Sequence, residues 1–282
     1  WLGQRLTESF CNQFVRQIRL TDSEAFYDLL DGPAIYLANH QVQIESMLFP
    51  TLISALGQRH VLTIAKAEHR AGWVGKLDDL SHRYPGADYP RGIVYFDQQD
   101  PASMLSILEG LKAQMLEDGH SLFVHVEGEL GLSCRQNVER GGSVFLDLAL
   151  SLRLPLIPVR FAGGLPVTPL LKTMDFPLDF GQQDYVVGRP IAPDELEALP
   201  YAERREFLLE AVNGLAPRDE EPLPGDGDFA ARQAVWQNKC GDQARAVVLT
   251  LLDDLGELTS LLDTAKGDGA SWAAEFVDWL LP

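Results

Sequence analysis

A chain of 282 residues can bury a full core, and its 46% apolar and 23% charged composition is that of a globular protein rather than a disordered one. The net charge of −18, of which −12 falls in residues 192–282, repels nucleic acid and anionic lipid, so no nucleic-acid partner is expected. Three widely separated cysteines, Cys11, Cys134 and Cys240, make neither a disulfide framework nor a metal-ligand spacing, which points to a reducing, cytoplasmic compartment.

In chain order, Leu2, Leu6, Phe10, Phe14 and Ile18 recur every four residues and predict an amphipathic helix packed on the domain's own sheet. Its polar face carries few cations, which limits any membrane contact, at the inner face, to a peripheral one through residues 1–20. No run reaches the ~18 apolar residues of a membrane span, and residues 1–10 lack the pattern of a secretory signal. A start at Trp1 is expected of a piece trimmed from a longer protein.

Short β-rich runs then alternate with helical stretches. Strands are predicted at 34–39 (after the turn Asp31-Gly32-Pro33), 60–66, 92–96, 121–127, 154–161 and 184–191. Helices are predicted at 44–56, ended by Gly57, at 101–117, with Pro101 in its first turn, at 142–152, and from about 194 onward. The alternation predicts an α/β fold: a mixed, largely parallel sheet flanked by helices. Residues 1–216 make this domain, the Pro- and Gly-bearing acidic run 217–228 a linker, and 229–282 a C-terminal helical appendage.

Chemistry concentrates at Ala38-Asn39-His40-Gln41-Val42-Gln43-Ile44-Glu45-Ser46. A histidine directly after an apolar strand sits at the carboxyl edge of the sheet, where open α/β folds place their ligands. Four residues separate it from Glu45 in the next helix, so the carboxylate can hold one ring nitrogen as N–H and leave the other as a base. No G-x-S-x-G nucleophile elbow accompanies the pair, so direct attack by a bound acceptor is expected, without a covalent acyl-enzyme. The spacing alone leaves open a surface histidine beside an unrelated glutamate. His125, Glu127 and Glu129 alternate along a strand, but without a further paired His or Cys they predict no metal site.

The His40 segment resembles the first motif of the glycerophospholipid acyltransferase family, Asn-His followed by four residues and an acid. GIVYFDQ (92–98) resembles its second motif, and VHVEGELG (124–131) its third. Arg140-Gly141-Gly142 is similar to the basic-Gly pair opening the next helix, LPLIPV (154–159) to the fourth motif, and VVGRPI (186–191) to the closing strand. The ordered series spans roughly residues 30–210.

The resemblance implies transfer of a fatty acyl group from a thioester, acyl-CoA or an acyl carrier protein, to a hydroxyl or amine, with no cofactor beyond that donor. His40 would be the general base and Glu45 its orienting partner; Asn39, Gln98, Glu127, Gly128, Glu129 and Arg140 would bind substrate. Lys66, Arg70, Lys76, Arg83 and Arg91 form the most basic stretch and could receive the donor's phosphates or an acidic carrier, but the interspersed Glu68, Asp78, Asp79 and Asp88 favour an ordinary mixed surface. The family's phosphate-binding arginines are replaced by Gln98 and Leu130, and Glu129 repels phosphate, so a neutral or cationic acceptor is expected. Thioester hydrolysis, and a non-catalytic docking domain that kept the fold, are the competing readings.

Overall fold

The computed structural model describes residues 11–215 apart from 13, 30–31, 42–43, 72–74, 76–77, 79–90, 98, 129–136 and 163–182. Seven strands form one sheet in the order β1-β7-β6-β2-β5-β3-β4. They are β1 (Val15–Leu20), β2 (Ile35–Ala38), β3 (Val61–Lys66), β4 (Ile93–Phe96), β5 (Ser121–His125), β6 (Leu156–Ala162) and β7 (Gln183–Val187). Pairing is parallel throughout except between β6 and β7. The helices are α1 (Ser23–Leu29), α2 (Glu45–Gly57), α3 (Pro101–Leu116), α4 (Val144–Leu152), α5 (Pro193–Glu197) and α6 (Tyr201–Asn213).

The central strands are apolar at nearly every position because both faces of the sheet are covered. On one face Ile35, Leu37, Leu62, Leu122, Val124 and Leu156 are buried under Leu111 and Met115 of α3, Leu146 and Leu148 of α4, and Leu208 of α6. Adjacent positions of the same strands point the other way. There Phe123, Phe161 and Tyr185 surround Phe49 of α2, with ring centroids 4.9, 5.6 and 6.0 Å from it. Carbon area removed from water on both sides, at about 25 cal/mol per Å², is the main term holding the layers together.

The predicted alternation of strands and helices is present, and the α/β architecture is as expected. Two features differ. The four-residue apolar stripe does not continue as a helix through Ile18: Val15–Leu20 is an edge strand, with Ile18 opposite Tyr185 of β7. Its outward side chains are polar, and Arg16 holds Asp184 through a two-pronged ion pair at 2.6 and 2.5 Å, which a helical period does not reveal. Helix α1 was not expected. The fourth predicted strand stops at His125, with Val126 and Glu127 in a turn and Gly128 at φ +66°. Leu2, Leu6 and Phe10, the linker 217–228 and the appendage 229–282 lie outside the described residues.

Candidate active site

Strand β2 ends at Ala38, where its partner β6 continues, and the Asn39 side chain takes over the pairing. Its Nδ2 donates to the Phe161 carbonyl at 3.1 Å and its Oδ1 accepts the Phe161 N–H at 2.7 Å. The main chain is thereby free to leave the sheet, and it delivers His40 to the carboxyl end of the strands. Asn39 is expected to bind substrate; in the structure both polar atoms of its amide are engaged by the Phe161 backbone.

Glu45 opens α2 with no exposed surface. A carboxylate buried this completely must be met by donors. The Gln41 N–H donates to Oε2 at 2.9 Å, the Gln183 amide of β7 to Oε1 at 2.5 Å, and Nδ1 of His40 lies 3.3 Å from Oε2. A carboxylate only accepts, so Nδ1 of His40 carries the ring hydrogen and Nε2 keeps its lone pair. The expected approach of His40 and Glu45 is thus present, and Gln183 is a partner that the spacing does not announce.

The rings of His40 and His125 stack, centroids 3.6 Å apart and planes at 27°. Burial holds the His40 imidazole down at about 3, with His69 and Lys66 adding to the effect. Burial likewise lowers His125 to about 3; the neighbouring His40 pushes the same way, and the Glu45 charge and the Asn39 carbonyl oppose it. Both rings are therefore neutral at physiological pH and able to accept a proton.

His40, Glu45 and His125 also bring potential metal-ligand atoms within 4.8 Å of one another. Both oxygens of Glu45 already accept hydrogen bonds and both nitrogens of His125 are engaged, so an ion here would have to displace those partners.

A cavity of about 270 Å³ opens at the carboxyl ends of β2, β3, β4 and β5. His40, Ser46 and His125 form its polar wall; Ile64, Phe96, Met104, Val144, Phe145 and Leu208 form much of the rest. This is the position that an open α/β sheet leaves for a ligand. Glu127 and Gly128 line the cavity, as do Lys66, Gly141 and Gly142. Arg140 is exposed and does not line it. Gln98 and Glu129 lie outside the described residues, as do Cys134 and Leu130. The wall contributed by α6 and by His125 was not foreseen, because both reach the site only through the fold. No helix among the described residues is long and apolar enough to cross a membrane.

No protein-family model matches the chain, and no curated protein matches its sequence. Among solved structures the chain is similar to the 1-acyl-sn-glycerophosphate (LPA) acyltransferase PlsC from Thermotoga maritima, with 20% sequence identity over 76% of each chain and a TM-score of 0.47.

Proposed function

We propose that this protein is an acyltransferase that moves a fatty acyl group from a thioester, acyl-CoA or an acyl carrier protein, to a hydroxyl or amine. One observation carries the reading: a neutral imidazole, His40, is oriented by a fully buried carboxylate and lines an apolar cavity. The cavity's aliphatic and aromatic wall suits an acyl chain, and His40, whose Nε2 keeps its lone pair, lies at its polar end.

In this reaction the acceptor's proton passes to His40 Nε2 as its oxygen or nitrogen bonds to the acyl carbon. The thioester C–S bond breaks, and the proton held by His40 goes to the departing sulfur, releasing the free thiol. The Glu45 carboxylate, 3.3 Å from Nδ1, stabilises the imidazolium that forms. The buried setting disfavours that charge before the reaction and leaves the ring unprotonated and ready. Glu127 and Gly128 line the same cavity and are the described residues proposed to face the acceptor. The ordered motifs in the sequence favour transfer, and the missing phosphate-binding arginines favour an acceptor without phosphate.

The test is to incubate the protein and a His40→Ala variant with long-chain acyl-CoA or acyl carrier protein and a mixture of alcohols and amines, reading products by mass spectrometry. Acyl products lost in the variant are the expected result. Free fatty acid as the sole product, or no turnover with any donor, overturns the transfer reading.

A further inference from the structure

The reaction at His40 leaves two cavity residues unused, Ser46 and His125. The Ser46 hydroxyl lies 2.9 Å from Nε2 of His125, and Nδ1 of the same ring lies 2.9 Å from the Asn39 carbonyl. A carbonyl only accepts, so Nδ1 carries the ring hydrogen, Nε2 keeps its lone pair, and the Ser46 O–H is the donor. A hydroxyl, a base and a third group that fixes the base's tautomer are the parts of an activated nucleophile.

The serine backbone is held as firmly as the imidazole. Ser46 is the second residue of α2, and Pro50, four residues on, has no N–H to give to the Ser46 carbonyl. The Thr63 hydroxyl of β3 donates there instead, at 3.0 Å. Ser46 lies in the first turn of the helix, whose positive end favours negative charge developing at that position.

We propose that Ser46 is a nucleophile activated by His125, so that transfer runs through an acyl ester on Ser46. The inference rests on the acyl-transfer reading and replaces the direct attack expected from the absence of a G-x-S-x-G elbow. In the first half, Ser46 Oγ bonds to the thioester carbonyl carbon and its proton passes to His125 Nε2. The C–S bond breaks, and that proton goes to the departing sulfur, releasing the free thiol. In the second half, the acceptor gives its proton to His40 Nε2 and bonds to the acyl carbon. The C–Oγ bond then breaks, and the proton collected at His40 returns to Ser46.

Two arms test this. In the first, the His40→Ala protein is mixed with palmitoyl-CoA without acceptor and its intact mass and peptide map are read. The expected result is one hydroxylamine-sensitive acyl adduct on Ser46, absent from His40→Ala/Ser46→Ala. In the second, a fluorophosphonate probe, which bonds to an activated serine oxygen with loss of fluoride, labels Ser46 in the wild type and labels His125→Gln at least about tenfold more slowly. Ser46 labelling by a wild type that transfers no acyl group keeps the dyad and overturns the acyl-transfer reading. Undiminished acyl transfer by Ser46→Ala keeps that reading and overturns the dyad.

Discussion

Replacing His125 by Phe should change how stability responds to acid by an amount set by one proton. The His125 ring is buried against Phe123, Phe161 and His40, with centroids at 4.7, 6.0 and 3.6 Å, so Phe retains most of the packing. The folded imidazole sits at about 3 because burial disfavours its charge, whereas the unfolded chain binds the proton near 6.5. Between those values the unfolded state holds one more proton than the folded state, so the stability contributed at high pH is lost as pH falls. The slope for one such group is about 1.4 kcal/mol per pH unit. From pH 5.5 to pH 4 the wild type should therefore lose about 2 kcal/mol more than His125→Phe, whatever constant offset the substitution brings. Urea unfolding at half-unit pH steps reads this difference directly. With a slope of about 2 kcal/mol per M, the wild-type midpoint should fall by about 1 M more than that of His125→Phe over that interval. Parallel curves would show that the folded protein protonates His125 as readily as the unfolded chain does, and would refute its burial as a neutral base.

Glu45→Gln keeps the shape but puts an amide N–H₂ where the carboxylate accepts from Gln41 and Gln183 and faces Nδ1 of His40, so a donor faces a donor at a fully buried site. Thermal unfolding should report a loss of about 2–3 kcal/mol, and acyl transfer should fall about 10²- to 10⁴-fold as His40 loses its orienting partner. Thr63→Val strands the Ser46 carbonyl that Pro50 cannot bond; about 1–3 kcal/mol should be lost in denaturant melts, with slower fluorophosphonate labelling of Ser46. Asn213→Ala removes the side chain that bonds both Val138 backbone groups and Arg160 at 2.8–3.1 Å. It should cost about 3 kcal/mol and raise amide exchange around Gly141 and Gly142 on the cavity wall, as measured by hydrogen-exchange mass spectrometry. Wild-type activity should stay flat from pH 8 to pH 5, because the His40 ring is already neutral over that range, instead of falling near 6.5 as it would for an exposed histidine.

How far the sequence announces the site follows from chain separation. His40 and Glu45 were legible because they lie five positions apart, across the short connection from a strand end to a helix start, so the local chain brings them together. Gln183, which donates to Glu45, is 138 residues from it, and His125 is 86 residues from the Asn39 carbonyl that fixes its tautomer. Such partners depend on strand order, and the adjacency of β2 to both β5 and β6 is written in no single stretch of sequence. Ser46 was passed over for a related reason. A serine beside a helix start reads as a local capping group, and its base arrives from the end of another strand. The central strands were legible through their unbroken apolar runs, whereas β1 was not. It lies at the edge of the sheet with Arg16, Gln17 and Arg19 exposed, and its short pattern fits a helix as well as a strand. Pro50 did not end α2, because Thr63 satisfies the carbonyl that the proline leaves without a donor.

The acceptor-dependent rate of acyl thioester consumption by His40→Ala, set against the wild type with the fold checked by circular dichroism, tests the central claim most directly. If His40 is the base, the rate falls about 10²- to 10⁴-fold while the fold is retained. A correctly folded His40→Ala protein that transfers acyl groups within about twofold of the wild-type rate contradicts it, since a positioned general base contributes far more than that.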